Sequence, residues 1–248
     1  MDSISKYSTT NLTVTHAAAG ANHGVAYFPK VQAGIEYHGM CTVGDQTTKR
    51  NCEEVPMYTV DSYIKEVVRD APPVIDFLSV DVEGFDWDVL GLGGADSTLK
   101  RVKYLEFEYH SFGNWPKYTL ENATNVLFEK FGMICYYAGI DELWRLTNCF
   151  QPYFNRHQWS NVACVNPTLD PLLASRMEDM FQRQLQTNTE NEFCESCIWQ
   201  WRIPCFQRRN YLLGQGMSLD DAKRLVAEQS ERCRGLPNGT NIDSASNG

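Results

Sequence analysis

The chain has 248 residues, 43% hydrophobic and 21% charged, the composition of an ordinary globular protein with one sizeable core. Its formal net charge of -9 excludes an extended nucleic-acid surface, because phosphate binding needs clustered Lys and Arg that outweigh the carboxylates. No run reaches the roughly 18 consecutive apolar residues that span a bilayer, so no membrane segment is expected.

From Asn11 to Ala18 the run N-L-T-V-T-H-A-A is β-branched and alternating, and it predicts a strand that turns at Ala19, Gly20 and Ala21. A second short strand is expected from Gly24 to Phe28. Residues 30–54 are polar and read as a loop, with Cys41 and Cys52 placed for a disulfide. Pro56 to Thr59 reads as a brief extended piece. Asp61 to Arg69 reads as a helix with Tyr63, Ile64, Val67 and Val68 at helical spacing, stopped by Pro72 and Pro73. The near-continuous apolar run V-I-D-F-L-S-V-D-V suits a strand buried on both faces of a parallel sheet. Glu83 and Gly84 then make a turn, Trp87 to Leu92 begins a helix, and Arg101 to Tyr109 is a second β-rich run, so the order is strand, helix, strand.

Leu120 to Phe131 follows as a helix with Val126, Leu127 and Phe131 on one face. Strands are expected at Met133–Tyr137 and Trp159–Asn166, joined by a long loop. Pro167 to Pro171 marks a boundary and a helix starts at Leu172. These signals divide the chain into a main domain over 1–167, a helical Cys-containing appendage over 168–235, and a disordered tail over 236–248. In the appendage, Cys194-x-x-Cys197 with Cys205 and Cys233 has one close pair where a zinc set has two, so disulfides, zinc ligation and free thiols all stay open. Ser218 to Glu228 reads as a helix with a capping-box start and Ala222, Leu225 and Val226 on its apolar face. Nine cysteines and Asn-x-Thr sequons at Asn11, Asn122 and Asn238 favour an oxidising lumen. Chance sequons and buried thiols favour the cytoplasm equally.

Ligands of an open parallel sheet bind at the carboxyl ends of its strands. Two such ends are rich in polar residues: Ser79, Asp81, Glu83 and Gly84 at the first, Glu106, Glu108 and His110 at the second. Asp81 and Glu83 either face a ligand or cap the following helix. Glu106 can pair with Lys103 or Arg101, and His110 is either a site residue or a surface one. The oxygen and nitrogen donors among them suit a divalent ion, but the sequence gives no geometry for one and no metal is assigned.

The segment D-F-L-S-V-D-V-E-G-F-D-W-D-V-L-G-L-G resembles the signature strand and helix of FkbM-like, S-adenosylmethionine-dependent methyltransferases. The resemblance extends over about residues 10–167, through N-L-T-V-T-H-A-A-A-G, V-P-M-Y-T-V-D-S-Y-I, V-K-Y-L-E-F-E-Y-H and W-S-N-V-A-C-V. It implies an α/β fold with the Rossmann-like class I sheet, strand order 3-2-1-4-5-7-6, here lacking its first two strands and carrying the Cys-containing appendage. It also implies S-adenosylmethionine as cofactor and methyl transfer to a hydroxyl of a sugar, glycan or other small natural product. Asp81, Glu83, Glu108 and His110 would then be catalytic residues on the acceptor side, with Glu108 or His110 as proton acceptor. His16, Ala17 and Ala18 would lie at the adenine end of the cofactor. The family's glycine-rich loop after strand one and ribose-binding acid after strand two do not occur here. The expectation is therefore an N-terminally truncated chain that binds the cofactor poorly, and a non-catalytic binding protein on a degenerate methyltransferase fold stays open as the alternative.

Overall fold

The computed structural model describes residues 13–30, 41, 51–139, 142–155, 157, 159–190, 216–218, 221, 224 and 233. Cys194, Cys197, Cys205, the apolar face proposed for 218–228 and the tail 236–248 lie outside them. In chain order the elements are β1 (Ala18–Ala19), β2 (Gly24–Pro29), β3 (Cys52–Tyr58), α1 (Val60–Tyr63), β4 (Ile75–Val80), α2 (Asp86–Gly91), α3 (Asp96–Leu99), β5 (Val102–Tyr109), α4 (Leu120–Phe131), β6 (Ile134–Gly139), β7 (Glu142–Arg145), β8 (Ser160–Val165) and α5 (Pro171–Glu190).

Five strands form the main sheet in the order β4-β5-β8-β6-β7. β4 and β5 are parallel, as the strand-helix-strand order requires, while β8 runs antiparallel to both β5 and β6. Burial along β5 alternates: Leu105, Phe107 and Tyr109 are buried, whereas Tyr104, Glu106 and Glu108 point to the opposite, half-exposed face. The buried face takes α4, whose stripe Leu120, Ala123, Leu127 and Phe131 is set at helical spacing. Thr119 caps α4 by accepting from the Asn122 N–H, and Gly132 ends it in the left-handed region at φ 69°. Trp115, fully buried, stacks on Phe107 and meets Tyr109 edge-on.

β4 departs from the expectation of burial on both faces. Phe77 is 56% exposed and its ring stacks on Tyr104 at 5.5 Å. Among the described residues β4 pairs with β5 alone, so its outer edge and one face stay open to solvent.

The N-terminal strands form a separate three-stranded sheet, β1-β3-β2. The strand expected from Asn11 shortens to Ala18–Ala19, because β3 offers ladder partners to those two residues alone, through Met57 and Tyr58; Asn11 and Leu12 lie outside the described residues. The extended piece at Pro56 is part of a seven-residue strand, held on its other side by β2. A Cys41–Cys52 disulfide closes the intervening excursion. The helix expected at Asp61–Arg69 is α1 followed by a π-helical turn, Ile64–Val68.

α1 ties the small sheet to the main one. Asp61 accepts from the backbone N–H of Ser97 at 2.9 Å and Thr98 at 2.8 Å, and from the Thr98 hydroxyl at 2.6 Å, which satisfies the free donors at the start of α3. Its own N–H donates to the Gly94 carbonyl at 2.9 Å. An acid on one helix thus caps another.

Two further features join the C-terminal elements to the core. The long loop expected before β8 contains the hairpin strand β7, on which α5 packs through Ala174, Met177, Phe181 and Leu185. Beneath it lies a buried ion pair, Arg145 to Glu178 at 2.6 Å, with the Tyr136 hydroxyl donating to the same carboxylate at 2.9 Å. Cys135 and Cys164, register partners on β6 and β8, form a disulfide, and so do Cys149 and Cys233. Cys233 is therefore no zinc ligand here. No helix among the described residues is long and apolar enough to cross a membrane.

Candidate functional site

The two acidic strand ends lie side by side. β4 and β5 are in parallel register with Ser79 opposite Glu106 and Val80 opposite Phe107, so the chain leaves both strands at the same rim. The turn after β4 is built for close approach. Glu83 has φ 52° and Gly84 φ 90°, and a Cβ on Gly84 would sit 2.4 Å from the Phe112 carbonyl oxygen. Only glycine permits that contact, and the Asn114 N–H closes it by donating to the Gly84 carbonyl at 2.9 Å.

Asp86 fastens this junction from beneath. Fully buried, it accepts from the Gly84 N–H at 3.2 Å and, with its other oxygen, from the Glu108 N–H at 3.4 Å. One carboxylate so bridges both strand ends. Burial pushes its pKa up to about 7, with the nearby Asp81 adding to the rise, against the backbone hydrogen bonds that favour the charged form. Sequence reading passed over Asp86 because it stands at the first position of α2, where an acid suits the helix dipole. The signal that could have found it is its place inside D-V-E-G-F-D, directly after the turn.

His110 is 1% exposed, against the surface alternative. Its Nδ1 accepts from the Phe112 N–H at 3.0 Å, which puts the proton of the neutral ring on Nε2. Among the described residues that Nε2 is buried without a hydrogen-bond partner, 3.7 Å from the Glu108 Oε2. Burial holds the imidazole below its ordinary pKa, while Glu108 and Asp81 pull the other way. The second Glu108 oxygen accepts from the Trp159 indole N–H at 3.0 Å. Trp159 lies 4.8 Å from the His110 ring and 5.7 Å from Phe112, and both it and Phe112 are largely exposed. A carboxylate, a neutral imidazole and an aromatic rim therefore face one spot.

Glu106 does not pair with Lys103 or Arg101 as anticipated. It accepts from the Tyr104 hydroxyl and the Asn161 amide, while Lys103 pairs with Asp76 on β4 at 2.6 Å. Nor does α2 carry a side-chain cap at its N-cap residue, Phe85.

Beside the strand tips a cleft of about 320 Å³ separates the two sheets. Ala17, Ala18, Tyr58, Tyr63, Leu78 and Asp81 are among its lining residues, and Asp81 is the single charged one among the described residues. Of the three residues that the resemblance assigns to the cofactor, Ala17 and Ala18 line this cleft. His16 does not line the cleft; it is exposed, 3.8 Å from Glu53. Small residues beside tyrosine rings, with a carboxylate at the strand tip, fit a cofactor with a flat apolar part and a cationic centre. Among the described residues no three His, Cys, Asp or Glu side chains converge on a point that could hold a metal ion.

A mixed sheet with helices, a cleft and polar groups gathered at the carboxyl ends of β4 and β5 is consistent with a methyltransferase-like fold. The family model for the methyltransferase FkbM domain matches residues 8–134, which include both strand tips and the β1 wall of the cleft. The chain belongs to the FkbM methyltransferase domain family. No curated protein and no solved structure is significantly similar to it.

Proposed function

We propose that the chain transfers a methyl group from S-adenosylmethionine to a hydroxyl oxygen of a sugar, glycan or other small natural product. The observation that carries this reading is the pairing of the His110 Nε2–H, which has no hydrogen-bond partner among the described residues, with the Glu108 Oε2 3.7 Å away. A group set against both atoms at the rim accepts from one and donates to the other. A hydroxyl does both. An ammonium has no lone pair for His110, and an ether or carboxylate has no proton for Glu108.

The donor, when bound, supplies a methyl carbon already activated by the sulfonium charge. Ala17, Ala18, Tyr58, Tyr63 and Asp81 are the residues that would hold it. Glu108 takes the acceptor proton on Oε2, while Trp159, bound to Oε1, fixes the carboxylate's orientation. His110 holds the acceptor oxygen through Nε2–H, and the Trp159 and Phe112 rings exclude water from one side. Asp81 and Glu83 keep the rim acidic. Asp86, one step back, positions both loops.

The test is incubation of the full chain with donor labelled in its methyl group and two acceptor sets, neutral polyhydroxylated compounds and primary amines. Labelled O-methyl products from the first set are expected. Labelled N-methyl products would overturn the hydroxyl assignment. Acceptor binding without transfer would favour the non-catalytic binding module instead.

A further inference from the structure

Of the three Asn-x-Thr sequons, the one at Asn122-Ala123-Thr124 falls within the described residues. Asn122 lies in the first turn of α4 with its side chain exposed, and its backbone N–H donates to the Thr119 hydroxyl. The helix turns its other face, Leu120, Ala123, Thr124, Leu127 and Phe131, into the core. Asn122, Asn125 and Glu129 form an exposed stripe, so a bulky group on the Asn122 amide would stand clear of the fold. The sequon threonine is fully buried, its hydroxyl donating to the Leu120 carbonyl at 3.0 Å. Its folded environment thus leaves the amide of Asn122 as the accessible part of the sequon.

The cysteines supply the second, independent observation. Six of the nine are joined in three disulfides. Cys135 and Cys164 are wholly buried in the centre of the main sheet, and Cys149–Cys233 spans a sequence separation of 84 to hold Cys233 against β7 and α5. The carbonyl of Cys233 is further gripped by Arg145 at 3.0 Å and Gln182 at 3.1 Å, so this link is integral to the packing. Structural disulfides buried in the packing form and persist in oxidising folding compartments and are rare where thiols are kept reduced. In such a compartment an exposed Asn-x-Thr is an acceptor for N-linked glycan.

We infer that this chain folds in an oxidising, glycosylating lumen and carries an N-linked glycan on Asn122. The inference is independent of the methyl-transfer reading, since it uses neither the cleft nor the strand tips. The test is peptide mapping of the full chain from its native source, with and without peptide-N-glycosidase F in ¹⁸O-labelled water. Conversion of residue 122 to labelled aspartate is expected, together with disulfide-linked peptides containing Cys135–Cys164 and Cys149–Cys233. An unmodified Asn122, or free thiols at those four cysteines, would overturn it. In cells that make the glycosylated protein, Asn122→Gln and Thr124→Val each remove one glycan-sized mobility step, whereas Thr124→Ser retains it. Persistence of that step in Asn122→Gln would place the glycan elsewhere and refute the assignment.

Discussion

Glu108→Gln is expected to lower kcat for methyl transfer by about 10²–10⁴-fold, the usual contribution of a positioned general base. The substitution is nearly isosteric. It can keep an oxygen for the Trp159 indole N–H, now 3.0 Å from Oε1, and it leaves the Asp86 contact to the Glu108 backbone N–H untouched. What it removes is the capacity to take a proton. The loss should therefore fall on kcat with little change in KM, since the acceptor can still be bound by His110 and the aromatic rim. His110→Ala should act differently, raising KM as well, because it deletes the donor that holds the acceptor oxygen. Steady-state kinetics with a fixed acceptor and saturating donor distinguish the two. Unchanged kcat in Glu108→Gln would remove Glu108 from the chemistry.

Asp86 carries the second large effect, on stability. Its folded pKa of about 7 lies above the usual carboxylate value of 3.8, so between those values the folded chain binds more protons than the unfolded one. Stability from this group is therefore complete below about pH 4 and is lost as pH rises toward 7. At roughly 1.4 kcal/mol per pKa unit, the loss amounts to about 4 kcal/mol over the window. Asp86→Asn cannot ionise and should not show this decline. The amide keeps one acceptor for the two backbone N–H groups and faces the other with a donor, which costs about 1–3 kcal/mol at every pH. Urea unfolding of both proteins from pH 4 to 8 should thus give curves that converge, and then cross, as pH rises. Parallel curves would show that Asp86 is charged throughout.

Much of this arrangement was readable from local pattern. The run V-I-D-F-L-S-V and the alternating K-Y-L-E-F-E-Y became neighbouring parallel strands, since apolar runs separated by a short helix have few other ways to pair. That pairing brought Asp81 near His110 and set Gly84 against Phe112. Other features had no local signature. β7, only four residues long, is a strand because β6 pairs with it, not because E-L-W-R alternates. The exposure of Phe77 depends on what lies across β4, which no property of the run itself reports. Asp61 looked like a helix-start residue of its own segment and turned out to serve α3, a contact across more than 30 positions in sequence. Among the cysteines, pairing could not be deduced from spacing: Cys233 left the C-x-x-C group for Cys149, a partner on the far side of β8 in the chain.

Methyl transfer at the β4–β5 rim requires the donor to lie in the cleft between the sheets. Photochemical cross-linking of the full chain to methyl-labelled S-adenosylmethionine at millimolar concentration, followed by peptide mapping, tests that placement directly. Label within residues 15–19, 58–63 or 78–82, displaced by unlabelled donor, is the predicted result. Label confined to the hairpin of β6 and β7, or none above a denatured control, would contradict it.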